Sequence, residues 1–360
     1  MPPVRPQVKP ALRRIWRDGA TLQFGTDPET AVVITGLDEA RMRLIERFDG
    51  TADRATLRRA AGGLGLDATV VDDLVRLLDS SGVLQDARAK GVGGGRLDPA
   101  EQDRLAPDVA ASSLLARTPG AVSGIPRRRE ATVTVLGAGR VGASVAALLA
   151  SAGVGTVVGQ DSGLTRPADL APAGLRPADL GSRRQDALAR HLRQLAPSTR
   201  TTAHSSARHP DLAILATDTG WPDTSLSDRL LRAGIPHLLA SVRETTGVIG
   251  PFVIPGRTSC HRCHELHRTD RDPAWPSVSA QLAAPGPGVA PCDVVLATNV
   301  AASATLMALT FLEQDRRGWP LPLAADGTVE IAQATGRVRR RSWFRHPSCG
   351  CGWLPEALGL

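Results

Sequence analysis

A chain of 360 residues with a formal charge of +7 has room for one large α/β domain beside a small one, with an interior to match. Its 43 basic residues are all arginine except Lys9 and Lys90, and tyrosine is absent, so the basic excess follows a compositional bias. It reads as a solvated surface and not as a nucleic-acid face; MPPVRPQVKP lacks the apolar core of a signal peptide, and a cytoplasmic protein is expected.

Residues 1–86 carry helical periodicity. Ala20–Phe24 and Ala31–Thr35 are expected as two strands about a turn at Asp27-Pro28. An amphipathic helix follows over Leu37–Phe48, with Met42, Leu44, Ile45 and Phe48 on one face. A second helix is expected over Thr56–Gly63, and a third from Asp67 through Leu78 with Gly82 as its C-cap. Val83-Leu84 closes the unit as a short strand. Two strands and three helices in this length describe a small winged-helix-like α+β domain. Its twelve Lys/Arg against thirteen Asp/Glu argue against DNA binding. Residues 87–129 open with Gly91, Gly93, Gly94 and Gly95 and read as a linker, with a short helix after Asp98-Pro99. No internal repeat is evident.

From Ala131 onward strand and helix signals alternate, which predicts a Rossmann-like, doubly wound, mostly parallel sheet over 130–360. Ala131–Leu136 is a β-branched strand running into Gly137-Ala138-Gly139-Arg140-Val141-Gly142, and Ala143–Ala152 follows as a helix. Gly137 permits the tight turn, Gly139 lets a phosphate approach the backbone and Gly142 allows close helix packing. Asp161 then falls where a ribose-binding acid belongs. The motif does not choose between NAD and ATP, and packing alone would also keep such glycines. Leu212–Ala216 is another strand, with Asp218 at its C-terminal end, placed either to hold a metal–phosphate group or to cap a turn.

Cys260-x-x-Cys263 and Cys349-x-Cys351 are two clustered pairs 85 residues apart, the pattern of a structural zinc site with four thiolates. Closing that loop costs about 4 kcal/mol, which zinc binding at roughly 10–16 kcal/mol offsets. His261, His264, His267 and His346 are alternative ligands. Cys292 stands alone, either a packing residue or a thiol activated by a helix N-terminus. Val294–Leu312 is long and apolar enough for a membrane span on length alone, but its Thr, Asn and Ser content predicts a buried helix at a domain or dimer interface.

The glycine turn, Ala-Thr-Asp at 216–218, Cys-His-Arg-Cys at 260–263 and the C-terminal Cys-Gly-Cys occur in the order seen in ThiF/ubiquitin-activating proteins, and over 130–360 the chain resembles that family. Cys260–Pro276 and His346–Gly352 resemble more narrowly the leader-peptide-binding branch that accompanies YcaO cyclodehydratases. Residues 1–86 are similar to a PqqD-like peptide recognition element. The resemblance implies an ATP–Mg pocket at Gly137, Gly139, Arg140 and Gly142, Asp161 on the ribose and Asp218 near magnesium. It also implies a structural zinc, a homodimer, a precursor peptide as partner and a YcaO-like modifying enzyme beside it. Catalytic members carry Asn-Leu-x-Arg and a following Lys; here Ser162–Ala173 offers only Arg166, and Arg183 or Arg184 stands at the Lys position. Two readings follow: a leader-binding component that presents a peptide to a cyclodehydratase, or an ATP-dependent adenylyltransferase acting on a peptide carboxylate. The cysteine clip disfavours an NAD-dependent oxidoreductase.

Overall fold

The computed structural model describes residues 3–88, 98–115, 124–202, 209–217, 221, 224–283, 290–313 and 321–353. The chain forms two compact units, Met1–Pro126 and Arg127–Leu360.

In the first unit, β1 (Pro6–Val8) pairs antiparallel with β5 (Leu84–Asp86), which ties its two ends together. Strands β2 (Arg14–Asp18), β3 (Thr21–Phe24) and β4 (Val32–Ile34) form a three-stranded antiparallel sheet with β3 central. Helices α1 (Glu39–Glu46), α2 (Arg54–Gly63) and α3 (Ala68–Ser80) lie between β4 and β5 in the chain. Each starts on an aspartate: Asp38, Asp53 and Asp67 accept from the N–H of Arg41, Thr56 and Thr69, the capping geometry that satisfies orphan donors. The Asp72 carboxylate of α3 accepts from Arg54 and, at 2.8 Å, from Arg58, so it clamps α3 to α2. Leu22 and Phe24 of β3 pack against Leu44, Ile45, Phe48, Leu57, Val71 and Leu78 in one core.

Strands β1 and β2 are additions to the two strands expected from sequence. Strand β2 is almost wholly exposed, so it lacks the apolar alternation by which half-buried strands are recognised. The expected short helix after Asp98-Pro99 is α4 (Pro99–Leu115), seventeen residues long; Gly91 to Gly95 lie outside the described residues.

The boundary between the units falls within α5 (Ile125–Glu130), and β6 (Thr132–Leu136) is the first strand of the second. Helix α6 (Arg140–Ser151) starts three residues earlier than its hydrophobic pattern suggested, because Gly139 is its N-cap. Then come β7 (Thr156–Gln160), α7 (Arg184–Leu195), β8 (Leu212–Leu215), α8 (Thr224–Arg232), β9 (His237–Arg243) and β10 (Thr246–Val253). Helices α9 (His261–Arg271), α10 (Trp275–Ala283) and α11 (Val294–Glu313) precede the hairpin β11 (Gly327–Ala332) and β12 (Val338–Ser342).

The sheet order is β12-β11-β10-β9-β8-β6-β7. Strands β7, β6, β8 and β9 are mutually parallel, and β10 to β12 continue as an antiparallel meander. The fold is α/β, with a Rossmann-like parallel half. Strand β9 is buried on both faces, as a central parallel strand must be. Helix α11 packs on α6, β9 and β10. By length and hydropathy it passes for a membrane span, yet Leu296, Ala297, Val300, Ala301, Ala304 and Ala308 are buried in the core. The expected burial is one-sided: Val295 is 73% and Leu306 67% exposed on the opposite stripe.

His237 sits fully buried at the start of β9. Its Nδ1 meets the Ile235 carbonyl at 2.9 Å and its Nε2 the Ser227 hydroxyl at 2.8 Å, so the ring donates from Nδ1 and accepts at Nε2. Burial pushes its pKa down to about 4. The unfolded chain therefore takes up a proton first as the pH falls, and the contribution is lost from about pH 6.5 downward, amounting to about 3 kcal/mol by pH 4. Denaturant melts of wild type and His237→Gln at pH 7 and pH 4.5 test this: the wild type should lose more stability between the two, by a margin of this order.

Candidate functional site

The site expected at the first glycine turn lies at the C-terminal edge of β6. Gly137 has φ +100°, and a Cβ there would lie 2.0 Å from the Ala216 carbonyl oxygen. A Cβ at Gly142 would lie 2.0 Å from the Gly137 carbonyl oxygen. The turn is thus pressed onto the end of β8, and both glycines are required by packing as well as by any ligand. Gly139 caps α6 without a side chain, so the first-turn N–H groups of α6 keep the anion-binding character of a helix N-terminus.

Asp161 follows β7 directly. One carboxylate oxygen accepts from the Ala138 N–H at 2.8 Å and the other from the Gly163 N–H at 2.7 Å. Arg184, the first residue of α7, is 5% exposed. Its guanidinium bridges two carboxylates, with Asp169 at 2.7 and 2.9 Å and Asp161 at 3.3 Å. Arg140 donates to the Cys292 carbonyl at 2.7 Å. The structure therefore gathers Gly137, Gly139, Arg140, Gly142, Asp161 and Arg184 at one edge, but both arginines bind the protein. Arg166 is 70% exposed and lies 3.9 Å from Asp169. Asp218 lies outside the described residues. The turn and the acid fit a nucleoside with a phosphoryl group. Arg184 is ion-paired to two carboxylates, whereas Arg140 meets a neutral carbonyl.

The crossover between β7 and α7 contains a repeat, contrary to the expectation of none. Arg166-Pro-Ala-Asp-Leu170 recurs as Arg176-Pro-Ala-Asp-Leu180. Both copies form 3-10 turns in which the aspartate accepts from the N–H of its own arginine, at 2.7 and 3.0 Å. Both aspartates are buried and each reaches an arginine of α7: Asp169 to Arg184 and Asp179 to Arg190. Five-residue copies are too short to stand out by hydrophobic period.

At the other site, Cys260 caps α9, Cys263 lies in its first turn, Cys351 lies in the C-terminal 3-10 turn Gly350–Trp353 and Cys349 directly precedes that turn. The sulfur separations are 3.8 Å (Cys260–Cys263), 3.6 Å (Cys260–Cys349) and 3.4 Å (Cys263–Cys351). Tetrahedral zinc with bonds of about 2.3 Å spaces its sulfurs about 3.8 Å apart, so the four buried thiols fit a zinc ion. Without a cation they share protons: hydrogen bonding to Cys263 pushes the Cys260 thiol up, and the same contact holds Cys263 down. A bound zinc would supply the charge that keeps all four as thiolates, and four protein ligands leave no open position.

None of the four candidate histidines belongs to that cluster. His264 stacks on Trp343 with centroids 5.3 Å apart, and His261 lies 3.7 Å from Glu265. His267, Asp270 and His346 converge in a second group. There His346 Nδ1 accepts from the Ser348 N–H at 3.1 Å, which places its proton on Nε2, 2.8 Å from the Asp270 carboxylate. These contacts make the group a hydrogen-bonded clamp beside the clip.

Sequence reasoning passed over two features. Arg243 lies over Trp221 at 4.0 Å, and Arg268 lies 5.1–5.5 Å from Trp221, Trp275 and Trp343. Glu265 binds Arg268, Trp275 and Ser279 at 2.7–2.8 Å. Three of six tryptophans in a chain with 3% aromatic residues were the available signal. In the first unit, a cavity of about 330 Å³ is lined by Leu12, Arg13, Phe24, Asp27, Val32 and Leu114. Cys292 is half-buried and packs against the core.

Two measurements check this geometry. Elemental analysis should find one zinc per chain, and Cys351→Ser should bind it at least tenfold more weakly, with a lower Tm. Arg184→Ala strands two carboxylates, one of them buried, and should cost about 3–5 kcal/mol in denaturant melts.

The ThiF family profile matches residues 121–352. No curated protein sequence matches the chain. Among solved structures it is similar to MccB from E. coli with succinimide, at 14% identity and TM-score 0.69, over 96% of this chain and 99% of that one. The E. coli MccB complex with ATP aligns at 14% identity and TM-score 0.68, with the same coverage. PaaA aligns at 16% identity and TM-score 0.66, over 93% of this chain and 99% of that one. At such identities the likeness is one of fold.

Proposed function

The chain belongs to the ThiF family, and from that premise we propose that it binds a precursor peptide by its leader and presents it to a modifying enzyme of the cyclodehydratase (YcaO-like) type. The observation that carries this reading is the state of Arg184. Of the two arginines at the place of the family's phosphate-binding lysine, Arg183 and Arg184, the latter is held between Asp169 and Asp161, so its charge is spent on the loop and not on a triphosphate. Adenylation depends on preorganised positive charge at phosphorus, and the crossover that would carry it consists of two Arg-Pro-Ala-Asp-Leu turns.

Peptide recognition is assigned to residues 1–86, as a PqqD-like element. An extended leader adds to the sheet of β2 to β4 through backbone hydrogen bonds, and apolar anchors enter the cavity beside Leu12, Phe24 and Val32. The zinc clip, a homodimer through the exposed Val295–Leu306 stripe of α11 and a cytoplasmic location complete the proposal.

A second reading, ATP-dependent adenylylation of a peptide carboxylate, is favoured by one specific likeness. MccB, which aligns over nearly its whole length, has been solved with ATP, and the microcin C7 biosynthetic enzyme MccB also with N-formylated MccA. Fluorescence anisotropy with a labelled leader segment of a candidate precursor peptide separates the two. On the first reading the full chain binds the leader at micromolar Kd, Leu12→Asp weakens this at least tenfold, Gly139→Asp leaves it unchanged, and no peptide-dependent AMP forms. Peptide-dependent AMP release lost in Gly139→Asp would establish the second reading. Light scattering that finds a monomer would remove the dimer.

A further inference from the structure

Strand β12 ends the seven-stranded sheet, and all five of its residues are exposed. Its pairing with β11 is antiparallel, with Glu330 opposite Arg339 and Thr328 opposite Arg341. The Ala332 N–H donates to the Arg337 carbonyl at 3.0 Å and the Trp343 N–H to the Asp326 carbonyl at 2.8 Å. Antiparallel strands alternate in this respect, so Arg337, Arg339, Arg341 and Trp343 turn their backbone groups to β11. Val338, Arg340 and Ser342 turn theirs outward, a row of N–H and C=O groups along an open edge.

The same segment is uniformly basic. From Ile331 to Trp353 there is no acidic residue, while Arg337, Arg339, Arg340, Arg341 and Arg345 all occur there. Arg339 and Arg341 share the single carboxylate of Glu330, at 2.6 and 2.9 Å. Arg340 reaches across the strand to the carbonyls of Leu323 and Ala325, both at 2.9 Å, which orient its guanidinium without neutralising it. Val338 and Phe344 stand exposed at the two ends, 60% and 72%.

We infer that the outer edge of β12 is a docking strand for an extended acidic segment of a partner polypeptide. Charge excludes a second copy, because two such edges would bring like arginines into register. An anionic lipid or a nucleic acid would use the guanidinium groups but leave the outward N–H and C=O groups unmatched. A polypeptide strand satisfies both, with acidic residues at alternate positions facing Arg339 and Arg341 and an apolar residue beside Val338 or Phe344. The inference is independent of the leader-binding reading, since it concerns only the sheet of the second unit.

The probe is a fluorescein-labelled peptide of alternating Glu and Val, titrated into the full zinc-loaded chain. Saturable anisotropy that weakens with salt is expected, together with slowed amide exchange at Val338, Arg340 and Ser342. Val338→Pro removes an outward N–H only and should weaken binding roughly tenfold while leaving Tm and zinc content unchanged. Arg339→Gln with Arg341→Gln should weaken it and flatten its salt dependence. The inference is overturned if the peptide fails to bind at about 1 mM, or if it binds without protecting those three amides. It is equally overturned if Val338→Pro binds as wild type does, or if an oligothymidylate binds as tightly as the peptide.

Discussion

The second unit is organised around a steric constraint: three backbone segments meet where no Cβ fits. Gly137 lies against the Ala216 carbonyl, and Gly142 lies against Gly137. This contact sets the angle at which β6 hands the chain to α6, and it brings the end of β8 beneath the same turn. Because α6 leaves the turn at that angle, it packs along α11, and α11 in turn covers β9 and β10. The Asp161 carboxylate then finds the Ala138 N–H within 2.8 Å. The arrangement would be required for sheet packing whether or not a ligand entered, which is why a glycine fingerprint by itself reports architecture more firmly than chemistry.

Chemistry depends on which charges remain available around that turn, and there Arg184 is paired inward while Arg140 meets only a neutral carbonyl. Asp161, Arg184 and Asp169 form a chain of alternating sign whose last two members are buried. Such a chain is held by geometry: removal of any one member strands its neighbours in a low-dielectric setting. The clip solves the opposite electrostatic problem, four groups that become anionic together and need a cation at their centre. At one end of the unit a single guanidinium thus serves two carboxylates, at the other a metal would offset four thiolates only in part, and basic charge collects at the open sheet edge.

Much of this was legible in the residues. The β-branched run before Gly137, the Gly-x-Gly-x-x-Gly spacing and the two cysteine pairs each carry a local signature that tertiary context does not override. Their placement at the C-terminal edge of β6 and at the caps of α9 followed. Less legible were the pairings of side chains distant in sequence. Nothing local distinguishes an arginine that will bind phosphate from one that will bind two aspartates, and Arg184 shows the difference only once the crossover is folded. Strand β2 was hidden because both its faces meet solvent. The one-sided exposure of α11 was hidden because Val295 and Leu306 are as apolar as the residues it buries. The exclusion of the histidines from the clip depends on the folded positions of their rings, which their closeness in sequence to the cysteines does not reveal.

The paired Arg-Pro-Ala-Asp-Leu turns give the crossover a modular length. Each copy closes its own backbone through its aspartate and lends that aspartate to a different arginine of α7. The two leucines that end and precede the copies, Leu170 and Leu175, bridge to one another. A crossover assembled this way changes size in steps of one whole turn, not residue by residue, and the copy that holds Arg184 need not be disturbed when the other is gained or lost. Tandem duplication is the simplest genetic event that would produce it. Chains of this type would then be expected to differ in this loop by about ten residues at a time, with β7 and α7 held at a fixed spacing.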